Sequence, residues 1–212
     1  MTLKNTLSAI ALAACVATPA MADNHTAKPS VSSRSPIELF GETLVFFLPD
    51  WVDGKDVAEA VAGTKLHRKQ NETVFLLEMT PSDQTLADWR DLQAVLAQRG
   101  DVSVEQELDT IEANFRAGCV PDVTAVIRSD KVDEPPTDGS GYATVFCGAY
   151  VDDPKRGEIG AFRVVRKGEV TARVYREWKG PAFDPGDRDS FPVDLPKLQE
   201  INARLLATDF QR

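Results

Sequence analysis

A chain of 212 residues with 24 Lys and Arg against 33 Asp and Glu carries a net charge of −9. Acidity without a basic block argues against nucleic acid and anionic membrane surfaces as partners. The length suits one domain with a proper core, and no apolar run reaches the roughly 20 residues that would span a bilayer.

The N-terminus reads as a bacterial export signal. Lys4 precedes an uncharged apolar run from Leu7 to Ala17, and small residues follow. Two processing readings compete. Ala20 and Ala22 suit cleavage after Ala22, with Pro19 breaking the apolar helix upstream. Met1–Ala22 is then a signal peptide, and the mature chain is periplasmic or secreted. Leu12-Ala13-Ala14-Cys15 resembles a lipobox, which would leave a lipid anchor at Cys15, but the bulky Val16 that follows weighs against it. Release is favoured, and either route exports the chain. Asp23–Ser35 is polar and reads as a disordered tail, which leaves residues 36–212 as a single domain. With Cys15 discarded or acylated, Cys119 and Cys147 are the remaining thiols in an oxidising compartment and are expected to pair.

Within the domain, Leu44–Leu48 suits a buried strand stopped by Pro49. Thr64–His67 and Thr73–Met79 flank Lys69-Gln70-Asn71, a hairpin turn. Thr85 is placed to cap a helix that sets Leu86, Trp89, Leu92, Val95 and Leu96 on one face, with Gly100 ending it and Trp89 as a core anchor. A second helix over Val104–Ala117 aligns Leu108, Ile111 and Phe115 and leaves Cys119 just past its end. Val123–Ile127, Tyr142–Val151, Glu158–Arg166 and Val170–Trp178 are rich in β-branched and aromatic residues and read as strands. The last two are joined tightly at Arg166–Glu169. Lys131–Gly141 and Gly180–Pro192 read as loops, and a final helix begins near Asp194 with Leu195, Leu198, Ile201 and Leu205 inward. Strands and helices in blocks indicate an α+β fold: a twisted antiparallel sheet with helices packed on its faces.

The run Glu78-Met79-Thr80-Pro81, followed by Thr85 to Trp89, resembles a strand-to-helix join of small exported PsbP-like and Mog1-like proteins. Phe146-Cys147-Gly148, Gly157-Glu158, Val164 to Gly168 and Tyr175-Arg176-Glu177-Trp178 resemble a group of secreted bacterial proteins associated with that fold. The resemblance covers roughly Leu44 to Phe183. It implies the same sheet with helices on its faces, accessory and binding roles, and no catalytic residues to carry over.

The chemical inventory assigns no catalytic residue, no cofactor and no metal. The two histidines are His25 in the tail and His67 in a strand. Together with paired cysteines they cannot assemble a zinc cluster, and neither a nucleophile elbow nor a phosphate-binding glycine run is present. Asp184, Asp187 and Asp189 form a weak candidate loop for calcium, without the spacing or closing glutamate of an EF-hand; a solvated loop is the simpler reading. Arg176 and Trp178 share a strand face with Val170, Ala172 and Val174. Two placements are open: Arg176 at the sheet end with its head in water, or Arg176 and Trp178 lining a cleft for an anionic or planar ligand. The expected function is an exported, non-catalytic module that binds a partner protein or small ligand. The alternatives are a metal-independent periplasmic hydrolase using Asp/Glu chemistry and an envelope lipoprotein in an assembly complex.

Overall fold

The computed structural model describes residues 33–132 and 138–211. The segment read as an export signal, Cys15, His25 and most of the polar segment 23–35 lie outside the described residues, as does the centre of the Lys131–Gly141 segment.

The chain starts with a hairpin of β1 (Arg34–Leu39) and β2 (Glu42–Phe47). Phe40 and Gly41 turn it at φ of 54° and 93°, a left-handed pair whose twist matches that of the strands. Arg34 and Ser35, read from sequence as the end of the tail, are therefore ordered in β1. The two-residue β10 (Asp209–Phe210) pairs with the other side of β2 and completes a three-stranded sheet.

Seven further strands form the main sheet: β3 (Thr64–Gln70), β4 (Val74–Pro81), β5 (Asp91–Arg99), β6 (Thr124–Val132), β7 (Gly139–Cys147), β8 (Arg156–Lys167) and β9 (Val170–Pro181). Their spatial order is β3-β4-β5-β9-β8-β7-β6, and each adjacent pair is antiparallel. Among the described residues the α-helices are α1 (Val57–Ala62), α2 (Val104–Gly118) and α3 (Leu195–Leu206).

This architecture corrects the expected fold class. With 48% strand against 23% helix, the protein is a β-rich assembly of two antiparallel sheets and not an α+β sheet with helices on its faces. The decisive error is the helix expected from Thr85. Thr85 and Asp88 instead close a tight turn, Leu86 is exposed, and the following residues form β5. Because β5 runs through the middle of the sheet, it is covered on both sides. Leu92 and Ala94 belong to one cluster and Val95 and Ala97 to the other, so the run loses the alternation that marks a half-buried strand.

The two sheet faces have different covers. On one, Leu108 and Ile111 of α2 pack on Ala143, Val145, Phe162 and Val164. Ser103 and Gln106 start α2 with a reciprocal capping box. On the other, Leu44 and Phe46 of the small sheet join Leu198, Ile201 and Leu205 of α3 over Val95, Ile159, Ala172 and Val174. Asp194 caps α3 by accepting the Lys197 amide, where the sequence places its start. The Cys119–Cys147 disulfide, expected from sequence, ties the end of α2 to the end of β7 with its Cα atoms 5.6 Å apart.

Candidate functional site

The face of β9 holding Val170, Ala172, Val174, Arg176 and Trp178 points into the core, and neither predicted placement of Arg176 holds. Its side chain is 0% exposed. One terminal nitrogen donates to Asp50 Oδ1 at 2.9 Å and to Asp91 Oδ2 at 2.7 Å, and the other to Gln93 Oε1 at 3.4 Å. The guanidinium lies 4.2 Å from the Trp51 ring centroid and 5.5 Å from that of Trp178. Lys197 contacts the second Asp50 oxygen at 3.0 Å. Burial alone would raise Asp50, but Arg176 and Lys197 outweigh it and hold the carboxyl below its ordinary range. At Asp91 burial wins over Arg176, and the carboxyl sits above its ordinary range. The cluster joins the turn after β2 to β5 and β9. Trp178, 3% exposed, borders a cleft of about 430 Å³ with Asp91 and Lys197, but Arg176 does not line it. The pair therefore offers no open guanidinium-and-indole surface.

The weak calcium loop is occupied by its own backbone. Asp184 Oδ1 accepts the Gly186 amide at 2.8 Å and Asp187 Oδ1 the Asp189 amide at 3.2 Å. Among the described residues, no three His, Cys, Asp or Glu side chains are grouped to hold a metal ion.

Two features emerge that sequence reasoning did not single out. The first is a carboxyl pair. The β8–β9 register sets Glu158 opposite Lys179 and Gly160 opposite Glu177, so the two glutamates are diagonal neighbours on the face that carries α2. Their carboxyls interact with each other, and the Tyr150 hydroxyl donates to Glu158. Glu158, but not Glu177, lines a cleft of about 610 Å³ at the end of α2, together with Gly118, Tyr150, Arg156 and Lys179. The Lys179 ammonium rests 3.8 Å from the ring centroid of Trp89, a partly buried residue that also packs against the core cluster under α2. Burial raises both glutamates, and the neighbouring Glu158 charge raises Glu177 further. Of the two, Glu177 is held the further above its ordinary range. The hairpin turn at Gly168 was legible in the sequence, and counting back from it would have paired these two positions.

A carboxyl raised in the folded state binds a proton more tightly there than in the unfolded chain. Its contribution is complete below the ordinary value of 4.5 and is lost as pH rises through the folded value. Glu177→Gln keeps the size and polarity of the side chain and cannot ionise. Denaturant titrations across this window should show the wild type losing stability with rising pH and the variant losing less, becoming the more stable form above the window. Equal slopes for the two proteins would show that Glu177 is not held above its ordinary range.

The second feature is an apolar groove of about 340 Å³ between α1 and β3. The α1 cap is Asp56, which accepts the Glu59 amide, and the i, i+3, i+4 spacing turns Val57, Ala60 and Val61 toward one side. Leu66 of β3, Leu48 and Met79 complete the lining. Three of these side chains stay open to solvent, with Val57 51%, Val61 69% and Leu66 66% exposed. Trp51 supports the groove from behind by donating its indole N–H to Thr64 Oγ1 at 3.1 Å. Their exposure is a tertiary property with no signal in a six-residue helix. No protein-family model and no curated protein matches the sequence.

Proposed function

We propose that the protein is an exported, non-catalytic module that binds a partner protein, with the groove between α1 and β3 as its contact surface. The observation that carries this is the gathering of Val57, Val61 and Leu66, three of the eight exposed large apolar side chains among the described residues, around one apolar groove. The resemblance to PsbP-like and Mog1-like proteins, with their accessory roles, supports the same reading. A photo-crosslinking side chain in place of Leu66, in the protein expressed in its own host, should yield one discrete adduct. The same group in place of Ile127, exposed on the far edge strand β6, should not. Equal adducts from both positions, or none from Leu66, would overturn the proposal.

The Glu158–Glu177 pair is the one observation favouring a hydrolase with Asp/Glu chemistry. Against it, the Tyr150 hydroxyl already engages one Glu158 oxygen, and Glu177 does not line the cleft. Turnover of a model ester or peptide that is abolished by Glu177→Gln would move the assignment to the hydrolase.

A further inference from the structure

The geometry points to the chemistry of the partner: an extended peptide of alternating apolar and acidic residues that adds as a strand to the outer edge of β3. This rests on the groove being the contact surface and specifies what enters it. β3 is the last strand at its end of the main sheet, and among the described residues it pairs with β4 alone. An edge of seven residues offers a row of main-chain donors and acceptors to an incoming strand.

Strand alternation sorts the β3 side chains. Leu66 stands opposite Met79, which belongs to the core cluster beneath the small sheet. Thr64, Leu66 and Arg68 therefore share the groove face, and Lys65, His67 and Lys69 point to the other. An added strand would place every second side chain over the groove beside Leu66, Val61 and Val57, where apolar groups fit. Lys65, Arg68 and Lys69 are all exposed, so this edge is locally basic on a chain of net charge −9. Carboxylates at the intervening peptide positions would meet Lys65 and Lys69 on the opposite face, and opposite charges across a strand pair are favourable. The same charges disfavour a second copy as the occupant, because antiparallel pairing of two β3 edges would bring Lys and Arg against Lys and Arg.

The test uses the full mature protein and fluorescein-labelled peptides matching the seven residues of β3. A peptide alternating Val and Glu should bind saturably in fluorescence anisotropy. Leu66→Glu should abolish that binding, and Lys69→Glu should weaken it by roughly tenfold; both positions are exposed and compatible with folding. N-methylation of alternate peptide amides, which removes main-chain donors without altering side chains, should also abolish binding. Undiminished binding of the N-methylated peptide, or equal binding of a peptide alternating Val and Lys, would overturn strand addition by an acidic segment. So would a concentration-dependent dimer that Leu66→Glu dissolves, since the occupant would then be a second copy. A Leu66 crosslink in the host without any binding of the Val–Glu peptide would leave the proposed function standing and overturn this inference alone.

Discussion

Arg176→Met is expected to lower the unfolding free energy by about 3–5 kcal/mol, the cost of leaving buried carboxylates without their cation. Asp50 and Asp91 both direct an oxygen at this guanidinium. Asp50 keeps Lys197 at 3.0 Å, so most of the loss falls on Asp91, whose second oxygen already has no hydrogen-bond partner among the described residues. The variant should regain stability as pH falls, because protonation relieves the unpaired charges. Adding Asp50→Asn and Asp91→Asn to Arg176→Met should recover most of the loss at neutral pH, since removing a whole buried ion cluster costs far less than breaking it. Denaturant midpoints of the single and triple variants decide the matter. A single variant within about 0.5 kcal/mol of wild type, the range of ordinary surface substitutions, would mean that the guanidinium stands in water after all.

The contrast between Arg176 and its neighbours shows what a strand pattern contains. Alternation correctly set Arg176 on the same face as Val174 and Trp178, because a period of two is a local property. It could not supply the acidic partners, which lie 126 and 85 residues away in sequence. The α2 and α3 helices were legible for a related reason: Ser103 and Asp194 cap them, and each buries a single stripe. The region 85–96 misled because Leu86, Trp89, Leu92, Val95 and Leu96 do fall at helical spacing, and Leu, Ala and Gln are good helix formers. Burial on both faces of β5 removed the competing strand signal. That one substitution of strand for helix, with the small sheet formed by segments at opposite ends of the chain, accounts for the change from an α+β expectation to a β-rich fold. The groove was illegible for the opposite reason. Val57, Val61 and Leu66 look like core residues in sequence, and only the tertiary arrangement leaves them uncovered.

The disulfide lends itself to the second large effect. Cys119 and Cys147 are separated by 28 residues, and closing a loop of that size restricts the unfolded chain by roughly 3–4 kcal/mol. The enclosed segment contains β6, an edge strand that among the described residues pairs with β7 alone, and the bond also fixes the end of α2 against the sheet. Cys119→Ala combined with Cys147→Ala should therefore lower the unfolding free energy by about 3–4 kcal/mol. At roughly 2–4 °C per kcal/mol for a domain of this size, the thermal midpoint should fall by about 6–16 °C. A reducing agent should bring the wild type close to the same value and leave the variant unchanged. Hydrogen exchange should show the loss first in β6, which would have only its pairing to β7 and its contacts with α2 to hold it. A double variant that melts with the oxidised wild type would show that the β6–β7 hairpin and α2 are held by packing alone, without the crosslink.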